Sequence, residues 1–209
     1  MKIAVICANG KAGRLIVKEA VDRGLDTTAI VRGTNQTAAA KVINKDLFDL
    51  SAKDLEDFDV IIDAFGTWTP DTLFQHCSSL KLLCDLVSGK NIRLLVVGGA
   101  GSLYVNSEHT VQVMDGSDFP DAFKPLASNM GKALEELRSR NDVKWTYISP
   151  AADFRADGAR TGSYRLGGEE LLVNSNGESV ISYSDYAIAM IDEAVNGTHI
   201  QQRISVVEN

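Results

Sequence analysis

Gly10 and Gly13 stand where a short apolar run at residues 3–7 gives way to a segment with helical spacing. A strand, a tight turn and a helix in that order leave the first N–H groups of the helix unpaired at a strand end. Those groups, with the positive end of the helix dipole, make a binding place for phosphate or pyrophosphate. Gly10 would let phosphates approach the backbone, and Gly13 would let the helix pack closely on the sheet. The turn comprises Ala8, Asn9, Gly10, Lys11, Ala12 and Gly13. Cys7 or Ala8 stands where a G-x-x-G-x-x-G loop would carry a further glycine.

Arg32 follows the apolar run Ala29-Ile30-Val31, with no acidic residue close behind it. In a dinucleotide-binding fold, an acidic residue here would take the ribose 2′-hydroxyl of NAD. An arginine accommodates the 2′-phosphate of NADP. The pattern therefore predicts NADP(H) in preference to NAD(H), against the plainer alternative of a solvated arginine at a strand end. Asp46 and Leu47 follow the next run and could meet the adenine amino group and cover its ring. Ala64, Phe65 and Gly66 end a further run, at the strand edge where open α/β sheets bind ligands.

The fifth run ends in Gly98-Gly99-Ala100-Gly101-Ser102-Leu103-Tyr104. Three glycines in four residues favour close ligand approach over packing. Ser102 and Tyr104 offer hydroxyl groups near the place of a nicotinamide. Neither has an evident base partner, which speaks against a Ser-His-Asp hydrolase. His109 reads as a solvated loop residue. His76 and His199 have no metal-ligand spacing, so no metal site is expected.

Elements must position these residues. Apolar, β-branched runs at 3–7, 27–31, 58–64, 92–97 and 143–148, with a weaker one at 41–43, predict strands. Helical spacing covers 11–23, a segment beginning at Thr69-Pro70-Asp71 and ending before Gly89, and 126–140. Strand and helix alternating in this rhythm predict a doubly wound, mostly parallel α/β sheet. After Pro150 come a Gly-, Arg- and Asp-rich stretch at 153–168 and short strand-like runs at 170–173 and 179–181. A helix starts from Ser182 and Asp185 and closes at Gly197, and a strand fits 203–207. With no linker or repeat, residues 1–209 read as one domain whose part from 150 onward forms a substrate-side extension.

The 209 residues are 44% apolar and 23% charged, ordinary for a soluble globular chain. A net charge of −7 argues against nucleic acid as a partner. No stretch approaches the ~20 apolar residues of a membrane span. Three cysteines without close spacing fit a reducing, cytoplasmic setting, with Cys77 and Cys84 packed on one helix face.

Three phrases carry a resemblance: residues 94–103 (LLVVGGAGSL), 145–151 (WTYISPA) and 181–187 (ISYSDYA). Over essentially its whole length the chain resembles the bacterial NADH-flavin reductase family. These are atypical short-chain dehydrogenases related to NmrA-like proteins and to flavin/biliverdin-IXβ reductases. The resemblance implies a Rossmann-like fold with the pyrophosphate at residues 8–13 and the 2′-phosphate at Arg32. It implies a cofactor cleft lined by Phe65, Gly66, Gly98 and Gly99, with Ser149, Pro150 and Ala151 facing the nicotinamide. The Y-x-x-x-K pair of ordinary short-chain dehydrogenases is reduced here to Ser128 and Lys132. Lys132 keeps a possible ribose contact, while alcohol–ketone chemistry with a tyrosine acid loses its acid.

The implied activity is hydride transfer from NAD(P)H to a planar acceptor, free flavin or quinone, in a monomer or homodimer. Ser102, Tyr104 and Lys132 are the catalytic candidates. Trp68, Tyr104, Phe154 and Tyr164 are the aromatic residues expected around the acceptor. The alternatives are a non-catalytic NADP sensor of NmrA-like type and a nucleotide-sugar epimerase or dehydratase.

Overall fold

The computed structural model describes residues 1–209. Ten strands form: β1 (Lys2–Ile6), β2 (Asp26–Val31), β3 (Lys41–Asn44), β4 (Val60–Asp63), β5 (Arg93–Val97), β6 (Lys144–Ser149), β7 (Asp153–Arg155), β8 (Arg165–Gly167), β9 (Val180–Ser182) and β10 (Gln202–Val207). The helices are α1 (Lys11–Asp22), the single turn α2 (Ala52–Leu55), α3 (Gln75–Val87), α4 (Lys124–Arg138) and α5 (Tyr183–Asn196). The main sheet runs β3-β2-β1-β4-β5-β6-β10-β8, parallel except for β8. Its first six strands follow the dinucleotide-binding order.

Successive side chains of each strand alternate between two buried faces. Ile3, Val5, Val31, Ile62 and Leu95 face α1 and α5, meeting Ile16, Val17, Ala20, Tyr186 and Met190. Ala4, Ile6, Ile61, Leu94, Val96 and Tyr147 face α3 and α4, meeting Leu80, Leu83, Leu134 and Leu137. Cover on both faces explains why these strands read as continuous apolar runs.

α5 starts as its sequence signals it should, with Ser182 Oγ accepting from Asp185 N–H at 3.0 Å. It ends on Gly197 in the left-handed conformation, φ 65°. The buried Asp185 carboxylate also accepts from Gly162 N–H (2.9 Å) and the Thr161 hydroxyl (2.9 Å), tying the preceding loop to the helix.

Two elements depart from expectation. The chain at 69–72 makes only a 3₁₀ turn, Pro70–Thr72, and α3 starts at Gln75. The Thr72 hydroxyl bonds the Thr69 carbonyl and the Thr67 hydroxyl, satisfying local groups in a non-helical geometry. The run at 170–173 is no strand; residues 165–167 pair with β10 instead. The segment beyond folds back so that Leu172 lies against Gly167, where a Cβ would sit 2.8 Å from it. No helix is long and apolar enough to cross a membrane.

Candidate cofactor-binding site

At the end of β1, Cys7 adopts φ 57°, the left-handed conformation for which a glycine is the usual choice. The thiol takes the conformation at a cost of order 1–3 kcal/mol. Burial, with Asp63 nearby, pushes the Cys7 thiol up to about 12, so it is not a thiolate near neutral pH. Gly10 N–H then bonds the Cys7 carbonyl (3.0 Å), and the first helical bond runs from Arg14 N–H to the Gly10 carbonyl (2.9 Å).

Gly10 is the N-cap of α1, no side chain caps it, and no acidic residue lies in the first turn. The opening N–H groups of α1 are thus without an intrahelical or capping partner. Gly13 lies so close to the turn that a Cβ would fall 2.9 Å from the Cys7 carbonyl oxygen and from Ala8 Cα. An uncapped helix start, drawn tight onto glycine backbone, fits a dinucleotide pyrophosphate.

Asn9 joins this turn to the loop after β2. Its Nδ2 donates to the Thr34 carbonyl (2.9 Å), and its Oδ1 accepts from Gln36 N–H (2.8 Å). Arg32 projects beside that loop with 85% of its side chain exposed and Asp46 Oδ2 at 3.4 Å. Asp46 also caps the turn Leu47–Asp49, accepting from Phe48 N–H (3.0 Å). Leu47 is a core residue packed with the α3 face, which removes it from the surface as an adenine cover; Phe48 is the exposed apolar neighbour.

β4 ends in Asp63, a wholly buried carboxyl with one hydrogen bond, from Phe65 N–H (3.0 Å). No cation faces it, and burial pushes its pKa up to about 6. Ala64 N–H continues the ladder to the Ile6 carbonyl (3.2 Å), and Phe65 meets the buried His76 edge-on at 5.4 Å. Burial lowers the His76 pKa, keeping that ring neutral. Gly66 follows at the surface.

Gly98 gives room for the Tyr147 ring, which a Cβ would strike, and Gly99 N–H reaches the Tyr147 hydroxyl at 3.3 Å. Ser149, Pro150 and Ala151 are all buried, and the Ser149 hydroxyl has no partner. The residues of the cleft therefore collect at the carboxyl edges of β1, β2, β4, β5 and β6.

The catalytic candidates gather elsewhere. Ser102, Tyr104 and Lys132 all line one cavity of about 200 Å³ beside α4. The Ser102 carbonyl and hydroxyl oxygens both accept from Arg203 Nη1, at 2.8 and 3.1 Å. Ser102 is thereby buried and engaged, not a free hydroxyl. Tyr104 stacks on His109 with centroids 4.7 Å apart, and His109 stays exposed on its loop. Lys132 is exposed, with Glu136 one turn on at 4.0 Å.

The four aromatic residues expected around an acceptor do not converge. Trp68 is 70% exposed on the loop after β4. Phe154 packs on Tyr183 and Tyr186, at 3.9 and 4.8 Å. The Tyr164 hydroxyl donates to Asp192 (2.6 Å), which also holds Arg23 at the far end of α1. Tyr164 thus lies toward the amino edge, away from the cleft. The pattern of apolar runs did not reveal Asp63 or Arg203. Their only signal was a charge inside or ending a run that otherwise reads as a buried strand.

A family model described as NAD(P)H-binding matches residues 7–194. The uncharacterized protein YwnB of Bacillus subtilis is 44% identical, over 99% of this chain and 98% of that protein. The crystal structure of SP1627 from Streptococcus pneumoniae, named a "putative NADH-flavin reductase", superposes with a TM-score of 0.98 at 51% identity, covering all of both chains. A Lactobacillus casei protein superposes with a TM-score of 0.89 at 29% identity, over 100% of this chain and 99% of that one. With the matched segment running from the glycine turn through α5, the chain belongs to the NAD(P)H-binding family.

Proposed function

We propose that this protein is an NAD(P)H-dependent reductase that passes hydride to a planar, electron-poor acceptor, a free flavin or a quinone. The uncapped start of α1, pressed onto the turn through Gly13, is the observation that carries the reading. The likeness to the named Streptococcus pneumoniae reductase supports the acceptor class. The residues at 8–13 would hold the pyrophosphate, and Phe65, Gly66, Gly98 and Gly99 would border the nicotinamide half. When bound, the dinucleotide supplies the hydride; the protein's part is to hold it against the acceptor and limit water. Ser128 in place of a tyrosine leaves acceptors whose reduction draws its proton from solvent.

Arg32 supports NADP(H) over NAD(H). Its guanidinium is open to solvent beside the loop that Asn9 fixes, so a 2′-phosphate can reach it. A charge-assisted bond of this kind contributes about 1.5–3 kcal/mol, roughly a 10- to 150-fold preference. Arg32→Glu is expected to abolish that preference, measured as the ratio of NADPH to NADH dissociation constants. Equal affinities in the unaltered protein would remove the assignment.

The reductase reading is tested by following NADPH consumption with FMN, riboflavin and simple quinones. Turnover with at least one of them is expected. Tight NADPH binding without turnover on any acceptor would favour the sensor reading. One observation leans that way, since Arg203 already occupies the Ser102 hydroxyl.

A further inference from the structure

α1 opens against the usual charge rule. Carboxylates stabilise the first turn of a helix, and cations weaken it. Here the first turn holds no acidic residue, while Lys11 is the first helical residue and Arg14 follows three positions on. Both side chains are exposed. Apart from Arg14 and Arg165, every arginine of the chain sits in an ion pair with a carboxylate. Arg165 is occupied by the Val173 carbonyl. Arg14 has a single long contact, from Nη1 to Gln36 Oε1 at 3.5 Å. Nearly all of its guanidinium donors are left to solvent.

That contact shows where the guanidinium lies. Gln36 belongs to the loop after β2, whose other end is Arg32. The loop is held at three points: Asn9 bonds the Thr34 carbonyl and Gln36 N–H, and Asn44 Oδ1 accepts from Gly33 N–H at 2.9 Å. Gly33 itself has φ 102°, a value suited to glycine. Arg14 from α1 and Arg32 from the end of β2 therefore flank one fixed loop, residues 33–36. Lys11 makes no bond to that loop.

Arg32 alone is a poor match for a phosphate ester. Asp46 Oδ2 lies 3.4 Å from its Nη1, so an arriving anion meets a carboxylate as well as a guanidinium. Arg14 carries no such competitor. A phosphate monoester presents three acceptor oxygens and close to two charges near neutral pH. One guanidinium fork takes up two oxygens and one charge.

We propose that Arg14 is a second specificity-determining residue for the cofactor, closing on the ribose 2′-phosphate from the side opposite Arg32. The assignment rests on the dinucleotide reading of the glycine turn, and it moves part of the selectivity from the strand end to the helix.

The probes are NADPH, NADH and adenosine 2′,5′-bisphosphate, which keeps the 2′-phosphate but has neither the pyrophosphate bridge nor the nicotinamide. Dissociation constants read the effect without turnover. Arg14→Gln is expected to weaken NADPH and the bisphosphate at least about tenfold, equivalent to ~1.4 kcal/mol, with NADH held within about twofold. Arg14→Lys keeps the charge, loses the fork, and is expected to fall between the two. Gln36→Ala removes the loop contact but keeps the guanidinium, and NADPH selectivity is expected to survive it.

Selective NADPH binding that Arg14→Gln leaves intact overturns the proposal alone. Equal weakening of NADPH and NADH also overturns it, because the residue would then serve the pyrophosphate common to both. So does a loss of selectivity in Gln36→Ala as large as that in Arg14→Gln, which would make the loop and not the charge the selector. Failure of the unaltered protein to bind either dinucleotide overturns the reading of the glycine turn, and this assignment with it.

Discussion

Gly13→Ala is expected to lower NADPH affinity by at least about 100-fold, equivalent to roughly 2.8 kcal/mol. One methyl group suffices because of what surrounds it. The added carbon would lie 2.9 Å from Cys7 O, Ala8 Cα and Ala8 O, all backbone atoms of the turn. A flexible side chain could swing away from such a contact, but a turn held by the β1 ladder cannot. α1 must instead lift, carrying its opening N–H groups off the place of the pyrophosphate. Lifting also loosens Ile16, Val17 and Ala20 from the core, so a stability loss of about 1–3 kcal/mol accompanies the binding defect. Gly10→Ala is the milder control, its Cβ meeting only the Cys7 carbonyl at 3.3 Å. Titration with NADPH, alongside thermal unfolding, reads both effects. Unimpaired NADPH binding by a folded Gly13→Ala protein would place the dinucleotide elsewhere.

Asp63→Asn is expected to stabilise the protein, and only at higher pH. The Asp63 carboxyl is buried without a cation and is pushed from 3.8 up to about 6. A folded-state pKa above the unfolded one means its favourable contribution is complete below pH 3.8 and is lost as pH rises through about 6. Above that, the folded chain carries a buried anion at a cost of about 3 kcal/mol, from 1.36 kcal/mol per pKa unit. Asparagine keeps the oxygen that accepts from Phe65 N–H and adds a neutral donor. That donor has a candidate partner in the unpaired Ser79 hydroxyl, which lines the same small cavity as Asp63. For a chain of this size, the gain corresponds to a rise in Tm of roughly 6–12 °C. Unfolding curves measured on both sides of the transition decide the matter. A pH-independent gain, or none, would show that Asp63 does not titrate in this way.

Much of the frame was legible in the residues because burial on both faces removes alternation from the strands. Ile3 to Ile6, Val60 to Ile62 and Leu94 to Val97 could hardly be anything else. The start of α5 was legible for a different reason, since Ser182 and Asp185 solve a local hydrogen-bonding problem that any helix start poses. The glycine turn was only half legible. Gly13 declares itself, but Cys7 takes a glycine-like conformation that its side chain does nothing to advertise.

What stayed hidden depended on where irregular chain lands. Trp68, Tyr104, Phe154 and Tyr164 all follow strand ends, yet loop length does not say whether a ring returns to the cleft. Tyr164 is drawn to Asp192 and Phe154 to Tyr183, contacts made across the fold. Leu47 looked like a surface residue beside Asp46, until the turn that Asp46 caps rolled it inward. Arg203 lay inside a strand-like run, and only the missing helix over β10 gives a guanidinium room there.

The packing of α1 against α5 bears on how the protein is made. Ile16, Val17 and Ala20 leave the ribosome early, and much of their cover, Tyr186, Met190 and Ile191, follows near the other end of the chain. β10, inserted between β6 and β8, is also made late. The nascent polypeptide therefore carries an apolar stripe on α1 that nothing made early can fully shield. Arg93 waits likewise for the Glu193 carboxylate that α5 brings. Vectorial synthesis and vectorial folding are out of step in this topology, and the unshielded interval is where a holdase chaperone would find its grip.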